Sequence, residues 1–221
     1  KKMIARDFSN EKVAYREDRA DHNYEWDVRY TMDFDGTRFL TTVKIKLTGA
    51  APGALLSTWD EGIGTIWNDR GFFSDGTWLY ASRYDAKFVA SGQDQTVRVI
   101  DANGRTDMLN WYTRSDWGPS YNDQIAAHEF GHMFGLFDEY AGGATYSGYT
   151  NANGLMADLS VSGYDRYFWT TEYFGEYFSG ATLDLVMGKQ LSAAANNYSG
   201  NAQANAMMGF GGNDDLSGGA G

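Results

Sequence analysis

Two of the three histidines in the chain stand four residues apart, in the run His128-Glu129-Phe130-Gly131-His132. On a helix, residues at this spacing share a face and lie about 6 Å apart along the axis. Both imidazoles can therefore converge on one metal ion. Imidazole nitrogens suit zinc, and a catalytic zinc keeps one position open for water. Such an ion lowers the pKa of its water toward about 7 and polarises a carbonyl oxygen. Glu129, beside the histidines, can reach that water and serve as general base. The chemistry these residues could carry is hydrolytic attack on a carbonyl.

The run continues as His132-Met133-Phe134-Gly135-Leu136-Phe137-Asp138. A glycine three residues after the second histidine lets the backbone leave the helix sharply, because glycine accepts the left-handed conformation that ends helices. A ligand three residues further on can then swing back to the metal. The only other histidine, His22, lies far upstream, and the chain has no cysteine. The third ligand is therefore expected to be a carboxylate, with Asp138 the natural donor and the adjacent Glu139 the runner-up.

These residues need a helix to carry them. One is predicted over about 122–134, opened after Trp117-Gly118-Pro119 by a Ser120–Asp123 capping pair. Ala126, Phe130, Met133 and Phe137 line its apolar side, and Gly135 ends it. Residues 39–47 (FLTTVKIKL) alternate as a strand with Val43, Ile45 and Leu47 on one face. Trp59, Ile63, Ile66 and Trp67 recur at helical intervals and predict a helix over 59–68. A second strand over 96–100 is expected to stop at Asp101-Ala102-Asn103-Gly104. With Asp107 that stretch could hold calcium, but it lacks the full helix-loop-helix calcium pattern and reads as a turn. Residues 141–154 read as loop and 165–178 as a late aromatic helix.

Composition narrows the classes. Among 221 residues there are 18 basic and 29 acidic side chains, a net charge of −11, which argues against a nucleic-acid-binding role. The absence of cysteine excludes a disulfide framework, a thiolate metal site and a cysteine nucleophile. No apolar run is long enough to span a membrane. No phosphate-cradling loop or Gly-x-Ser-x-Gly elbow occurs. The apolar fraction of 43% is enough for a real core. The opening Lys1-Lys2-Met3 has no apolar run behind it, as expected of a processed or trimmed chain without an N-terminal secretory signal.

The extended motif, HExxHxxGxxD, followed by Met156 in Asn153-Gly154-Leu155-Met156-Ala157, resembles the metzincin clan of zinc endopeptidases. In that clan a methionine turn lies beneath the metal, and Met156 matches it. The aspartate in third place is similar to the snapalysin branch more than to the astacin or serralysin branches, which use histidine. Clan members often carry a tyrosine two residues after the methionine. Here Asp158 stands there, so no tyrosine is assigned a role, although Tyr140, Tyr164 and Tyr167 are near in sequence.

The resemblance implies an α/β (α+β) zincin domain, with a twisted mixed sheet, an active-site helix and a C-terminal helix. It also implies Zn2+ on His128, His132 and Asp138, Glu129 as catalytic base, and a protein or peptide substrate. The tail 209–217 (GFGGNDDLS), with Gly218-Gly219 opening the next unit, resembles calcium-binding nine-residue repeats of the RTX type. That likeness implies bound Ca2+ and a bacterial protein secreted by a type I route. The expected division is a catalytic domain over 1–180, a linker or extension over 181–208, and the start of repeats over 209–221. Two readings from other classes compete: a catalytically silent zincin-scaffold binding or effector module, and an adhesive module in which HExxH is accidental.

Overall fold

A computed structural model describes residues 8–19, 24–35, 38–68, 72–74, 79–136, 138, 140–144 and 156, together with three short strands at 184–186, 197–199 and 215–217. Its elements are β1 (Phe8–Arg19), β2 (Tyr24–Phe34), β3 (Arg38–Gly49), α1 (Leu55–Trp67), β4 (Phe72–Ser74), β5 (Leu79–Phe88), β6 (Gln95–Gly104), β7 (Asn110–Ser115), α2 (Asn122–Met133), β8 (Asp184–Val186), β9 (Asn197–Ser199) and β10 (Asp215–Ser217). The class is mixed α and β.

Strand β3 organises the sheet, because its alternation leaves no doubt about which face is inside. Phe39, Thr41, Val43 and Ile45 are buried and the residues between them are not. One edge of β3 pairs in parallel with β5. The other edge is shared: β2 runs antiparallel along residues 39–42 and β6 runs parallel along 45–49. The Gln95 side chain, at the start of β6, donates a 2.7 Å hydrogen bond to the Asp27 carbonyl of β2 and ties these two neighbours together. β1 extends the sheet beyond β2, and β4 and β8 extend it beyond β5, all antiparallel. β7 lies parallel to β6 after a return through residues 105–109.

The inward faces supply the core. Val28, Tyr30, Met32 and Phe34 of β2 join those of β3, with Val97 and Val99 of β6. Helix α1 closes over them with Trp59, Ile63, Ile66 and Trp67, the four residues whose spacing predicts the helix. Burying side chains of this size stabilises by about 1.5–3 kcal/mol each. Helix α2 packs against α1 and adds Ala126, Ala127, Phe130 and Met133. The Trp111 ring of β7 meets Trp59 edge-on at 4.9 Å between centroids, joining the far strand to the helical layer.

Two expectations are corrected. The strand over 96–100 does not stop at Asp101: β6 continues to Gly104, with its register against β7 shifting between Ile100 and Asn103. Pairing with β7 carries the polar stretch onward, and its side chains hold the surface. Asp101 binds Arg114 and Thr113, while Asn103 donates to Asp116. The capping pair Ser120–Asp123 does not form. Residues Pro119–Tyr121 make one 3-10 turn, and α2 begins behind Tyr121 with no side-chain cap. Asp123 still lies in the first turn, where a negative charge favours the helix.

The segment expected as a linker supplies two strands. β8 pairs with β4 in the main sheet, Phe72 opposite Val186. β9 pairs in parallel with β10, Asn197 opposite Asp215, Tyr198 opposite Leu216 and Ser199 opposite Ser217. Each partner is eighteen residues further along, which is two nine-residue units. The expected late helix over 165–178 lies outside the described residues. Among the described residues no helix is long and apolar enough to cross a membrane.

Candidate metal centre

Helix α2 presents His128, Glu129 and His132, and its end is built to bring the chain back to them. The Leu136 N–H bonds the Gly131 carbonyl at 3.0 Å and the Gly135 N–H bonds that of His132 at 3.1 Å. This is the Schellman closure, with Gly135 in the left-handed position at φ 105°. A side chain there would be strained, so the glycine that the sequence marks as a stop does the turning.

The turn also sets the His132 ring. Its Nδ1 lies 2.7 Å from the Leu136 carbonyl oxygen. A carbonyl only accepts, so Nδ1 carries the proton, and in the neutral ring Nε2 presents a lone pair toward the cleft. The Trp26 indole donates to the His132 carbonyl at 2.9 Å and meets the imidazole edge-on. Trp67 donates to the Ala127 carbonyl at 2.7 Å. Two indoles thus hold α2 at both ends of the histidine pair.

Asp138 returns to the same point. Its backbone N–H bonds the Ala144 carbonyl at 2.9 Å, and its Oδ2 accepts the Ala144 N–H at 2.7 Å. The chain folds so closely over it that a Cβ on Gly143 would lie 2.7 Å from that same Oδ2. With Oδ2 clamped, Oδ1 faces the histidines, 3.2 Å from the His128 Nε2 and 3.4 Å from the His132 Nε2. Oδ1 is buried and accepts no well-formed hydrogen bond.

This geometry is a test of whether a metal belongs here. Tetrahedral zinc with ligands at about 2.0–2.1 Å separates its donor atoms by about 3.3 Å. Electron-rich atoms crowded this closely repel one another unless a positive charge sits among them. The attraction between the imidazoles and the carboxylate also shows in their protonation tendencies. Burial alone would pull His132 down, but the Asp138 carboxylate and the Leu136 carbonyl outweigh it and hold its pKa up. Burial pushes Asp138 up, yet the two imidazoles hold it well below the usual carboxylate range. The residues present fit a metal ion.

Glu129 completes the group. His128, Glu129 and His132 form a largely buried cluster whose ligand atoms lie within 4.8 Å of one another and which could hold a metal ion. Burial pushes the Glu129 carboxyl up to about 8, against the charge of His128 and with the charges of Asp138 and Asp107. Met156 is buried beneath α2, and a Cβ on Gly131 would come within 2.7 Å of its sulfur. Glycine between the two histidines is therefore what admits Met156. Glu139, the runner-up ligand, lies outside the described residues, as do Asp158, Tyr164 and Tyr167.

The centre opens onto a cleft of about 520 Å³. One wall is the return 105–109, and another carries Trp26 and Tyr140. Asp107 uses its carboxylate to accept the N–H groups of Leu109 and Asn110, so the turn reading of this residue holds. The Tyr140 ring stacks on His128 with centroids 6.4 Å apart, and its hydroxyl accepts a 2.9 Å hydrogen bond from Arg105. Burial and the Asp138 charge push that hydroxyl up to about 12, so it stays neutral. Sequence reasoning gives no role to Trp26, Arg105 or Tyr140. Tyr140, two residues after Asp138, carried the one usable signal.

No protein-family model, curated protein or solved structure matches this chain.

Proposed function

We propose that this chain is a zinc-dependent endopeptidase with a metzincin-like catalytic domain. The observation that supports it most is the approach of Asp138 Oδ1 to both histidine Nε2 atoms at 3.2 and 3.4 Å, with that oxygen buried and otherwise unsatisfied. His128, His132 and Asp138 would hold the zinc, and Met156 packs under the helix that bears the histidines. Bound zinc would supply a Lewis acid that polarises the substrate carbonyl and acidifies water. Glu129 takes the proton of the attacking water and returns it to the leaving amine. Trp26 and the Leu136 carbonyl keep the His132 ring aimed while this happens.

The eighteen-residue register of β9 and β10 supports reading the tail as nine-residue repeats. Such repeats would bind calcium through their aspartates, in keeping with a protein secreted by a bacterium through a type I route.

The test is a pair of variants. Glu129→Gln is expected to keep zinc and lose turnover of casein, while His128→Ala loses the metal. Full activity in Glu129→Gln would overturn the mechanism. One equivalent of zinc in the wild-type chain without turnover would favour a silent binding module instead.

A further inference from the structure

The described cleft-lining side chains include four carboxylates, Glu25, Asp107, Glu129 and Asp138, and a single permanently cationic group, Arg105. In a chain of net charge −11, an arginine beside acidic groups would ordinarily be taken up by one of them. Arg105 is not. Among the described residues its guanidinium is hydrogen-bonded to a neutral partner, the Tyr140 hydroxyl, through Nη2 at 2.9 Å. The same guanidinium lies 5.9 Å from the centre of the Tyr140 ring. Tyr140 in turn stacks on His128. The cation is thus held at the hydroxyl of a ring that itself stacks on a metal-site histidine.

We propose that Arg105 is a specificity-determining residue that receives a carboxylate of the substrate, so that the enzyme prefers peptides with an acidic side chain close to the bond it cuts. This rests on the endopeptidase reading above. The guanidinium has five N–H donors in a planar fork, and one is used. The remaining edge suits two parallel hydrogen bonds to a carboxylate, a match no neutral amide reproduces. The surrounding negative charge repels acidic peptides at long range, where salt screens it, but the forked contact acts at hydrogen-bond distance. The selectivity is therefore local and position-dependent. Tyr140 is the positioning residue for Arg105, holding it in place without neutralising it.

The experiment uses peptide pairs that carry Glu or Gln at each position in turn around the scissile bond. Two readouts are taken: kcat/KM with the wild-type chain, and calorimetric binding to the Glu129→Gln chain, which does not depend on turnover. At one position the Glu peptide should be favoured by about tenfold in both, the scale of a charge-assisted hydrogen-bond pair. Arg105→Gln should bring that ratio close to one, and Arg105→Lys, which keeps charge without the fork, should leave it in between. A wild-type ratio of one at every position, or a ratio unchanged in Arg105→Gln, overturns the proposal. If neither peptide is cut by wild type, the endopeptidase reading fails, and the binding ratio still decides whether Arg105 takes a carboxylate.

Discussion

The Oδ1 of Asp138 lies 3.2 Å from the Nε2 of His128, although a helix end and a reversed chain separate the two residues. Local rules make each half of this contact. The helix periodicity aims His128, and the Gly135 closure followed by the Ala144 clamp aims Asp138. Burying an unneutralised carboxylate is costly, so the contact calls for a positive charge beside Asp138, from a bound cation or from a protonated imidazole.

Removing that carboxylate should therefore weaken the metal more than any neighbour does. Asp138→Asn keeps the shape but loses the charge. Zinc affinity should fall by more than the roughly 10–100-fold typical of outer-shell partners. Competition titration against a chromophoric chelator measures it. Affinity equal to wild type would move the third ligand elsewhere, with Glu139 the first candidate.

If zinc is held as proposed, its removal should cost stability, because the unfolded chain does not hold the three donors together. At a free concentration about 100 times Kd the gain is about 2.7 kcal/mol, or about 5–10 °C in Tm for a chain of this length. Thermal melts with zinc and with EDTA should differ by that amount in wild type, and by little in His128→Ala.

Gly131→Ala tests the methionine beneath the helix. The added Cβ would meet the Met156 sulfur at 2.7 Å and Trp67 at 3.1 Å. Overpacking of this kind costs about 1–3 kcal/mol. Urea unfolding should show the loss, and the double variant Gly131→Ala, Met156→Ala should recover part of it. Additive losses in the double variant would mean that the two residues do not touch.

Trp26→Phe removes the indole N–H that reaches the His132 carbonyl at 2.9 Å while keeping an aromatic ring. A hydrogen bond of this type contributes about 0.5–1.5 kcal/mol. Stability should drop by about that much, measured by chemical denaturation, and zinc affinity should weaken because the helix end is less well held. Unchanged affinity would limit Trp26 to a packing role.

Much of the site was legible because it is local. His128, Glu129, His132, Gly135 and Asp138 lie within one helix and its turn, where spacing alone fixes which side chains share a face. The strand at 39–47 and the helix at 59–68 were legible for the same reason: β3 alternates, and the four apolar residues of α1 sit at helical intervals. What escaped depends on pairing between distant segments. The polar residues Asp101–Gly104 look like a turn until β7 supplies partners for them. Trp26 reaches His132 across 106 positions, and Arg105 reaches Tyr140 across 35, so no local pattern marks either contact. The start of α2 at Asn122 follows the reading, but its cap does not: a 3-10 turn occupies Pro119–Tyr121, and Ser120 is used within it and does not cap the helix.

Zinc K-edge X-ray absorption of the loaded wild-type chain decides whether two imidazoles and the Asp138 carboxylate hold one zinc ion. The expected result is one zinc per chain, with two imidazole nitrogens and carboxylate or water oxygens at about 2.0–2.1 Å in a four-coordinate shell. An all-oxygen shell without imidazole scattering, or no zinc retained at all, would contradict it.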